Sequence, residues 1–474
     1  MSTSDRHPAG ERPVRRFHWI SRVALVLALV TVFSAGIVAG RSPSTSTGGA
    51  SQSNGGLSDQ PGYDTLEETW NRVNSQYVDI SQVKPEDLMW GASVGLVDGL
   101  GDTGHSRFLD PKSATDFIES IQGELIGIGV QLRTTENGIY FPGIIAGGPA
   151  DEAGVERGDV LLTLNGDDVT GLELDALDMY LDGVDGSKVS MEIYRPATDE
   201  TLSFDLVQRL IEIDPVSWTM LPDHVALIRL STFSDGSADA VRTTILESLD
   251  AGAKGIVFDL RDNGGGIVEE ARRIASEFLP EGTVVFRENY SDGTSQEYLA
   301  DAGGVALDVP LVVLVNRFSA SSSEFVASAL SESGRATLIG QTTYGTGTIL
   351  SPQQLDDGSL LVLGTGLWET SDGVVVWHTG LDPDQEVLLD YGTLPLIPGD
   401  DASLTDADLA LAHDTQVDAA LSQLAGEFGG TPEASPEVDS TPVARSGADA
   451  QSTGPSAGAM VALAIEPDLV GSYR

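Results

Sequence analysis

Five consecutive apolar residues, Leu311 to Val315, are followed by a short serine-rich polar stretch. Beyond it Phe325 meets Ala329 and Val326 meets Leu330 at four-residue spacing. That change of period predicts a buried strand, a tight turn and a helix. The same texture recurs upstream. Val225–Leu230 reads as a strand, Ala238–Leu249 as a helix, Gly255–Leu260 as a strand leading into R-D-N-G-G-G, and Ile267–Phe278 as a helix. Repeated strand–helix units predict an α/β core with helices packed on a sheet, occupying residues 210–397.

Residues 121–209 have a different pattern. A glycine-rich turn runs into a strand at Gly127–Leu132, Ile145–Gly166 alternates turns with short apolar runs, a helix is predicted over Leu172–Leu181, and a further strand ends at Arg195. Residues 63–120 form a helical segment, with Leu66, Trp70, Val73 and Tyr77 on one face, closed by a turn from Gly101 to Pro111. Residues 41–62 are a Ser/Thr/Gly-rich tether. Residues 398–474 are acidic and Ala/Ser/Pro-rich, a composition that predicts a disordered tail; its apolar stretch Ala459–Ile465 has no assigned role.

Val23–Gly40 carries no charge and follows Arg12, Arg15, Arg16 and Arg22. The stretch is just long enough to span a bilayer. The basic flank places residues 1–22 in the cytoplasm and everything past residue 41 outside. The expectation is a single-pass anchor in a bacterial-type cell membrane. A cleaved signal peptide is the alternative, because the run is short and ends in small residues.

The formal charge of −46, from 72 acidic against 26 basic residues, argues against a nucleic-acid partner, since phosphate binding needs clustered Lys and Arg. It fits an exported protein kept soluble by self-repulsion. Absence of cysteine removes disulfides and thiol catalysis. No His/Asp/Glu cluster has ligand spacing, so neither a metal nor an organic cofactor is expected.

The chemistry gathers at Ser321, which the pattern puts at a strand-to-helix turn. Unpaired amides at a helix start stabilise a developing negative charge, the setting a nucleophilic serine requires. The S-x-x-E spacing of Ser321 and Glu324 is equally that of a capping box, in which the serine only satisfies a helix amide. The glycines of R-D-N-G-G-G allow close backbone approach and expose N–H donors, or simply make a turn.

Residues 316–324, N-R-F-S-A-S-S-S-E, resemble the nucleophile motif N-x-x-S-A-S-x-S-E of the C-terminal processing, or tail-specific, serine peptidases. The likeness extends over roughly residues 64–390. It implies that Ser321 is the nucleophile and that Gly265 or a neighbour, with the amide of Ser322, forms the oxyanion hole. Ile145–Gly166 resembles a PDZ domain. That likeness implies that Gly127, Ile128 and Gly129 present backbone amides to a peptide carboxylate while the peptide adds a strand to the sheet edge. A PDZ that only braces the structure is the alternative. The fold expected is thus an α/β peptidase core with an inserted, β-rich PDZ domain, a helical N-terminal segment and a membrane anchor. Its partners would be proteins or peptides with free C-termini.

One departure matters. The family's best-known members carry a lysine base in a segment like T-F-G-K-G-T-V-Q, whereas this chain reads T-T-Y-G-T-G-T-I-L over Thr342–Leu350. Thr346 stands in the lysine's place and Leu350 in that of the glutamine that would hold it. The chain's lysines, Lys84, Lys112, Lys188 and Lys254, all lie upstream of the serine turn. A Ser/Lys dyad of the family kind is excluded. His105, in G-D-T-G-H-S, resembles the histidine of the related tricorn-like branch and is one alternative base. His378, near that branch's glutamate position, is another. Glu369, Asp372 and Asp102 are unranked candidates for the orienting acid. The other reading is a pseudoenzyme: a PDZ-containing surface adaptor that keeps the serine turn without the base.

Overall fold

The computed structural model describes residues 56–102, 106–135, 138–172, 174–177, 180–181, 184–390, 393–399 and 403–428. The expected anchor at 23–40, the tether up to 55, His105 and the chain after 428 lie outside the described residues. Among the described residues no helix is long and apolar enough to cross a membrane. The chain divides into two units, residues 1–83 and 84–474. In the first, Tyr63–Gln76 is a helix opened by Gly62 at φ 94°, and 3-10 turns cover Leu57–Asp59 and Ile80–Gln82.

The second unit is built on a six-stranded sheet in the order Val216–Leu221, Val225–Leu230, Gly255–Asp259, Leu311–Val315, Thr337–Gly340, Gln385–Glu386. The first pair is antiparallel and the rest are parallel. Every residue of the strands at 225–230, 255–259 and 311–315 is buried, as parallel strands covered on both faces must be. On one face lie the helices Ser237–Asp250, Val268–Ser276 and Ser322–Glu332, around a core that includes Phe258, Ile274, Phe278, Phe325 and Trp368.

The other face corrects the expectation of a disordered tail from residue 398. Asp406–Ala412 and Thr415–Glu427 are helices, and Leu409, Val417, Ala420 and Leu424 pack against Leu227, Val257, Val312 and Leu314. Acidic, alanine-rich composition concealed an apolar stripe of helical period at 417, 420 and 424. A second, antiparallel sheet joins Arg107–Leu109, Leu360–Glu369, Val284–Tyr290 and Ser295–Leu299, with Thr348–Gln354 beside Leu360–Glu369. A strand therefore replaces part of the turn expected between Gly101 and Pro111.

The PDZ-like region has its own sheet, in the order Arg133–Thr135, Gly138–Tyr140, Val160–Leu164, Lys188–Arg195, Glu200–Val207. Its separate core is built on Ile128, Phe141, Leu161, Val189 and Ile193. Of the stretch expected to be helical, Leu172–Leu181, the described part carries a 3-10 turn at Leu174–Leu177, and residues 173, 178 and 179 lie outside the described residues. Entry and exit strands, Glu124–Gly127 and Arg209–Glu212, pair antiparallel, so the region is an insertion on a two-stranded stem.

Candidate active site

Strands 255–259 and 311–315 are adjacent and parallel, with Asp259 opposite Leu314. Their outgoing turns, R-D-N-G-G-G and N-R-F-S-A-S, therefore emerge side by side at the carboxyl edge of the sheet, where open α/β sheets place their chemistry. Hydrogen bonds lace the two turns together. Ser319 Oγ donates to Leu260 O (2.8 Å), Ala320 N to Asn263 O (3.0 Å), Ser323 Oγ to Asn263 O (2.8 Å), and Asp262 N to Asn316 Oδ1 (3.0 Å).

Ser321 is half-buried with φ 53° and ψ −116°, a conformation that L-residues rarely adopt. Strain of this kind persists only where surrounding bonds over-determine it. The S-x-x-E spacing is realised as a capping box, and its carboxylate half is firm: Glu324 Oε2 accepts Ser321 N–H at 2.8 Å. The Glu324 amide goes to the Ser321 carbonyl at 2.7 Å.

A Cβ on Gly265 would lie 2.8 Å from Ser321 Cβ and 3.1 Å from Ser322 N, so only glycine lets the turns approach this closely. Gly265 is less apt as an oxyanion donor than the sequence suggested. Its N–H donates to Asn263 Oδ1 at 2.9 Å, because the asparagine folds back over its own turn. Ser322 opens the helix, whose geometry leaves its N–H without an intrahelical acceptor, and its hydroxyl is tied to Gly266 O at 3.0 Å.

Glu324 is the feature that sequence reading undervalued. It is fully buried and accepts four bonds: from Ser321 N (2.8 Å) and Thr346 N (2.9 Å) on one oxygen, and from Gly345 N (2.8 Å) and the Thr343 hydroxyl (2.5 Å) on the other. The carboxylate thus fastens the serine turn to the segment in which Thr346 replaces the lysine. Burial pushes its pKa up to about 7, although all four donors pull the other way. The S-x-x-E spacing signalled this residue, but only as a local cap.

Thr346 is buried, and its hydroxyl has no partner among the described residues. Its carbonyl accepts the Trp368 indole N–H. His378 is exposed with φ 62°, donates its backbone N–H to Gly345 O at 3.0 Å, and stacks its ring on Trp377 at 4.8 Å. The structure thus brings His378 beside the neighbour of Thr346. Among the acid candidates, Glu369 faces Arg287 across the sheet, Asp372 bonds Glu332 through its amide, and Asp102 accepts Ser106 N.

In the PDZ-like region Gly127 pairs with Arg209, Ile128 is buried, and Gly129 turns at φ 81° with Gly148 and Ile211 too close to admit an unstrained side chain. A further contact had no signal in the sequence. Arg133, on the edge strand of that sheet, bonds Asp262 of the glycine turn at 3.1 Å and lies 3.6 Å over the ring of Phe318. Asp262 also takes Asn316 Nδ2 (3.0 Å) and faces Arg229 (3.6 Å). Burial opposes its charge, but the two guanidinium groups hold its pKa well below the carboxylate range.

Comparison with known proteins bears on these features. A family model for peptidase family S41 matches residues 224–387, and one for the PDZ domain matches residues 140–195. The carboxy-terminal processing protease CtpA of Bacillus subtilis (strain 168) is 30% identical over 392 residues, spanning 82% of this chain and 81% of that protein. The chain belongs to peptidase family S41. It is a C-terminal processing type of serine peptidase with a PDZ domain. The carboxyl-terminal-processing protease of Synechocystis is 35% identical over 332 residues, 69% of this chain and 74% of the relative. Among solved structures, a photosystem II D1 C-terminal processing protease superposes with a TM-score of 0.50 at 27% identity, covering 73% of this S41 peptidase and 93% of that chain.

Proposed function

We propose that this S41 peptidase is an extracytoplasmic serine endopeptidase, tethered through residues 23–40, that takes protein substrates by their free C-termini. Ser321 is its nucleophile. The observation that carries this reading is the strained Ser321 backbone, held at a helix start between the glycine turn and Glu324. In the proposed reaction an imidazole, His105 or His378, accepts the Ser321 proton as Oγ attacks the scissile carbonyl. The oxyanion is met by the Ser322 amide, and the same imidazole protonates the leaving amine. Gly127–Gly129 of the PDZ domain bind the substrate carboxylate.

Labelling by a fluorophosphonate probe and peptide cleavage test the assignment. Both vanish in Ser321→Ala while the fold is retained; undiminished cleavage by that variant refutes it. A second reading is favoured by one observation, the buried Thr346 hydroxyl, at the position of the family lysine and without a partner among the described residues. On that reading the chain is a PDZ-containing adaptor. Wild-type protein that never labels, with labelling restored in Thr346→Lys, would establish it.

A further inference from the structure

Arg261 heads the glycine turn and is completely buried, yet its partners come from three separate segments. Nε and Nη2 bond the two oxygens of Asp259, each at 2.9 Å, at the end of the preceding strand. Nη1 bonds both oxygens of Asp414, at 3.0 and 2.8 Å, and Gln416 Oε1 at 3.0 Å; Nη2 reaches Leu396 O at 3.4 Å. Asp414 is the N-cap of helix Thr415–Glu427, accepting Gln416 N and Val417 N at 3.1 Å, and it also accepts Leu396 N at 2.7 Å. Gln416 Nε2 in turn holds Val387 O at 2.8 Å.

From these contacts we infer that the helix Thr415–Glu427 is a positioning element for the active site, with Asp414 and Gln416 aiming the glycine turn against Ser321 through Arg261. Helix-to-sheet adhesion alone needs only the apolar stripe of Val417, Ala420 and Leu424. A buried guanidinium is costly unless fully paired, and its planar fork fixes direction as well as distance. The direction is passed on within two residues. Asn263 O takes Ala320 N and Ser323 Oγ on either side of the serine, and Gly265 packs against Ser321 itself. The assignment rests on Ser321 being the reacting residue, and the test separates the two claims.

In the full chain, Asp414→Asn and Gln416→Ala are compared with Leu424→Ala, which loosens the same helix without touching Arg261. Two quantities are read: the rate of fluorophosphonate labelling of Ser321, and hydrogen exchange of the amides of residues 261–266. Displacements of about 1 Å at a reacting group cost up to about 100-fold. The expected result is labelling slowed about 10-fold or more in Asp414→Asn and Gln416→Ala, with faster exchange of the turn. Leu424→Ala should lower the melting temperature and leave both quantities in place. Unchanged labelling and exchange in folded Gln416→Ala, or all three variants declining in step with stability, overturns the inference. If Asp414→Asn does not fold, Gln416→Ala decides. Wild-type protein that does not label counts against the nucleophile, and the exchange measurement then decides the positioning role by itself.

Discussion

Glu324 gives the sharpest thermodynamic prediction. Its pKa rises from 4.5 to about 7 on folding. Between those values the folded chain holds a proton that the unfolded chain has released, so stability falls as pH rises. At about 1.4 kcal/mol per pH unit, the neutral group contributes ~3 kcal/mol that is fully present below pH 4.5 and lost as pH passes through about 7. The protonated form has a partner, because the Thr343 hydroxyl 2.5 Å away can accept the carboxyl proton. Glu324→Gln keeps the shape and removes the titration. Urea unfolding of both proteins at about pH 5 and about pH 8 isolates this group, since all other titrations cancel in the difference. The advantage of the wild type over Glu324→Gln should shrink by ~2.5 kcal/mol from the lower to the higher pH, part of the full contribution being already lost at about pH 5. A difference that is flat, or that widens with pH, would show the group ionised throughout, with its four donors outweighing burial, and would refute the reasoning. Glu324→Ala should be worse at any pH. It strands the amides of Ser321, Gly345 and Thr346, each costing about 1–3 kcal/mol when buried without an acceptor.

Gly266 has φ 143°, and a Cβ there would lie 2.5 Å from the Phe233 carbonyl oxygen; Gly266→Ala should lose more than about 1 kcal/mol in urea unfolding and abolish probe labelling, and a neutral result would contradict the packing of the turn. Arg133→Ala strips Asp262 of a buried ion partner and Phe318 of its stacked cation, and should cost about 3 kcal/mol, read by the same unfolding; no change would mean the contact is energetically idle. Amidating the C-terminus of cleaved peptides should raise KM if Gly127–Gly129 bind a carboxylate, whereas equal kinetics for acid and amide would favour a bracing PDZ domain.

Local periodicity made much of the core legible. The strand Leu311–Val315 and the helix after Ser321 occur where the pattern puts them, because a fully buried parallel strand and an amphipathic helix each write their burial into neighbouring residues. What composition averages over was lost: an acidic, alanine-rich stretch reads as disorder although Val417, Ala420 and Leu424 form a buried stripe. The strand-to-helix turn carrying Ser321 was legible, and the contacts around it less so. Arg133–Asp262 and Arg261–Asp414 join residues 129 and 153 positions apart, and no window of sequence registers such a pairing. The Glu324 clamp was half visible, its local half as S-x-x-E and its distant half at 343–346 not at all.

The two-stranded stem beneath the PDZ domain has a consequence for how the chain reaches this structure. Ile213 N bonds Gly123 O at 3.0 Å, so once the PDZ domain has formed the surrounding core meets it as a short connection. Closing that loop then costs little chain entropy. The peptidase core has no such economy, since Gly364 must find Ser106 across 258 residues and Arg261 must await Asp414 near the end of the described chain. Contacts of that separation form slowly. During synthesis the PDZ domain can therefore complete its fold while the glycine turn is still unsupported, and the turn acquires its full set of partners only when the helix Thr415–Glu427 arrives. A nascent or C-terminally clipped chain would carry a finished PDZ domain on an unfinished peptidase.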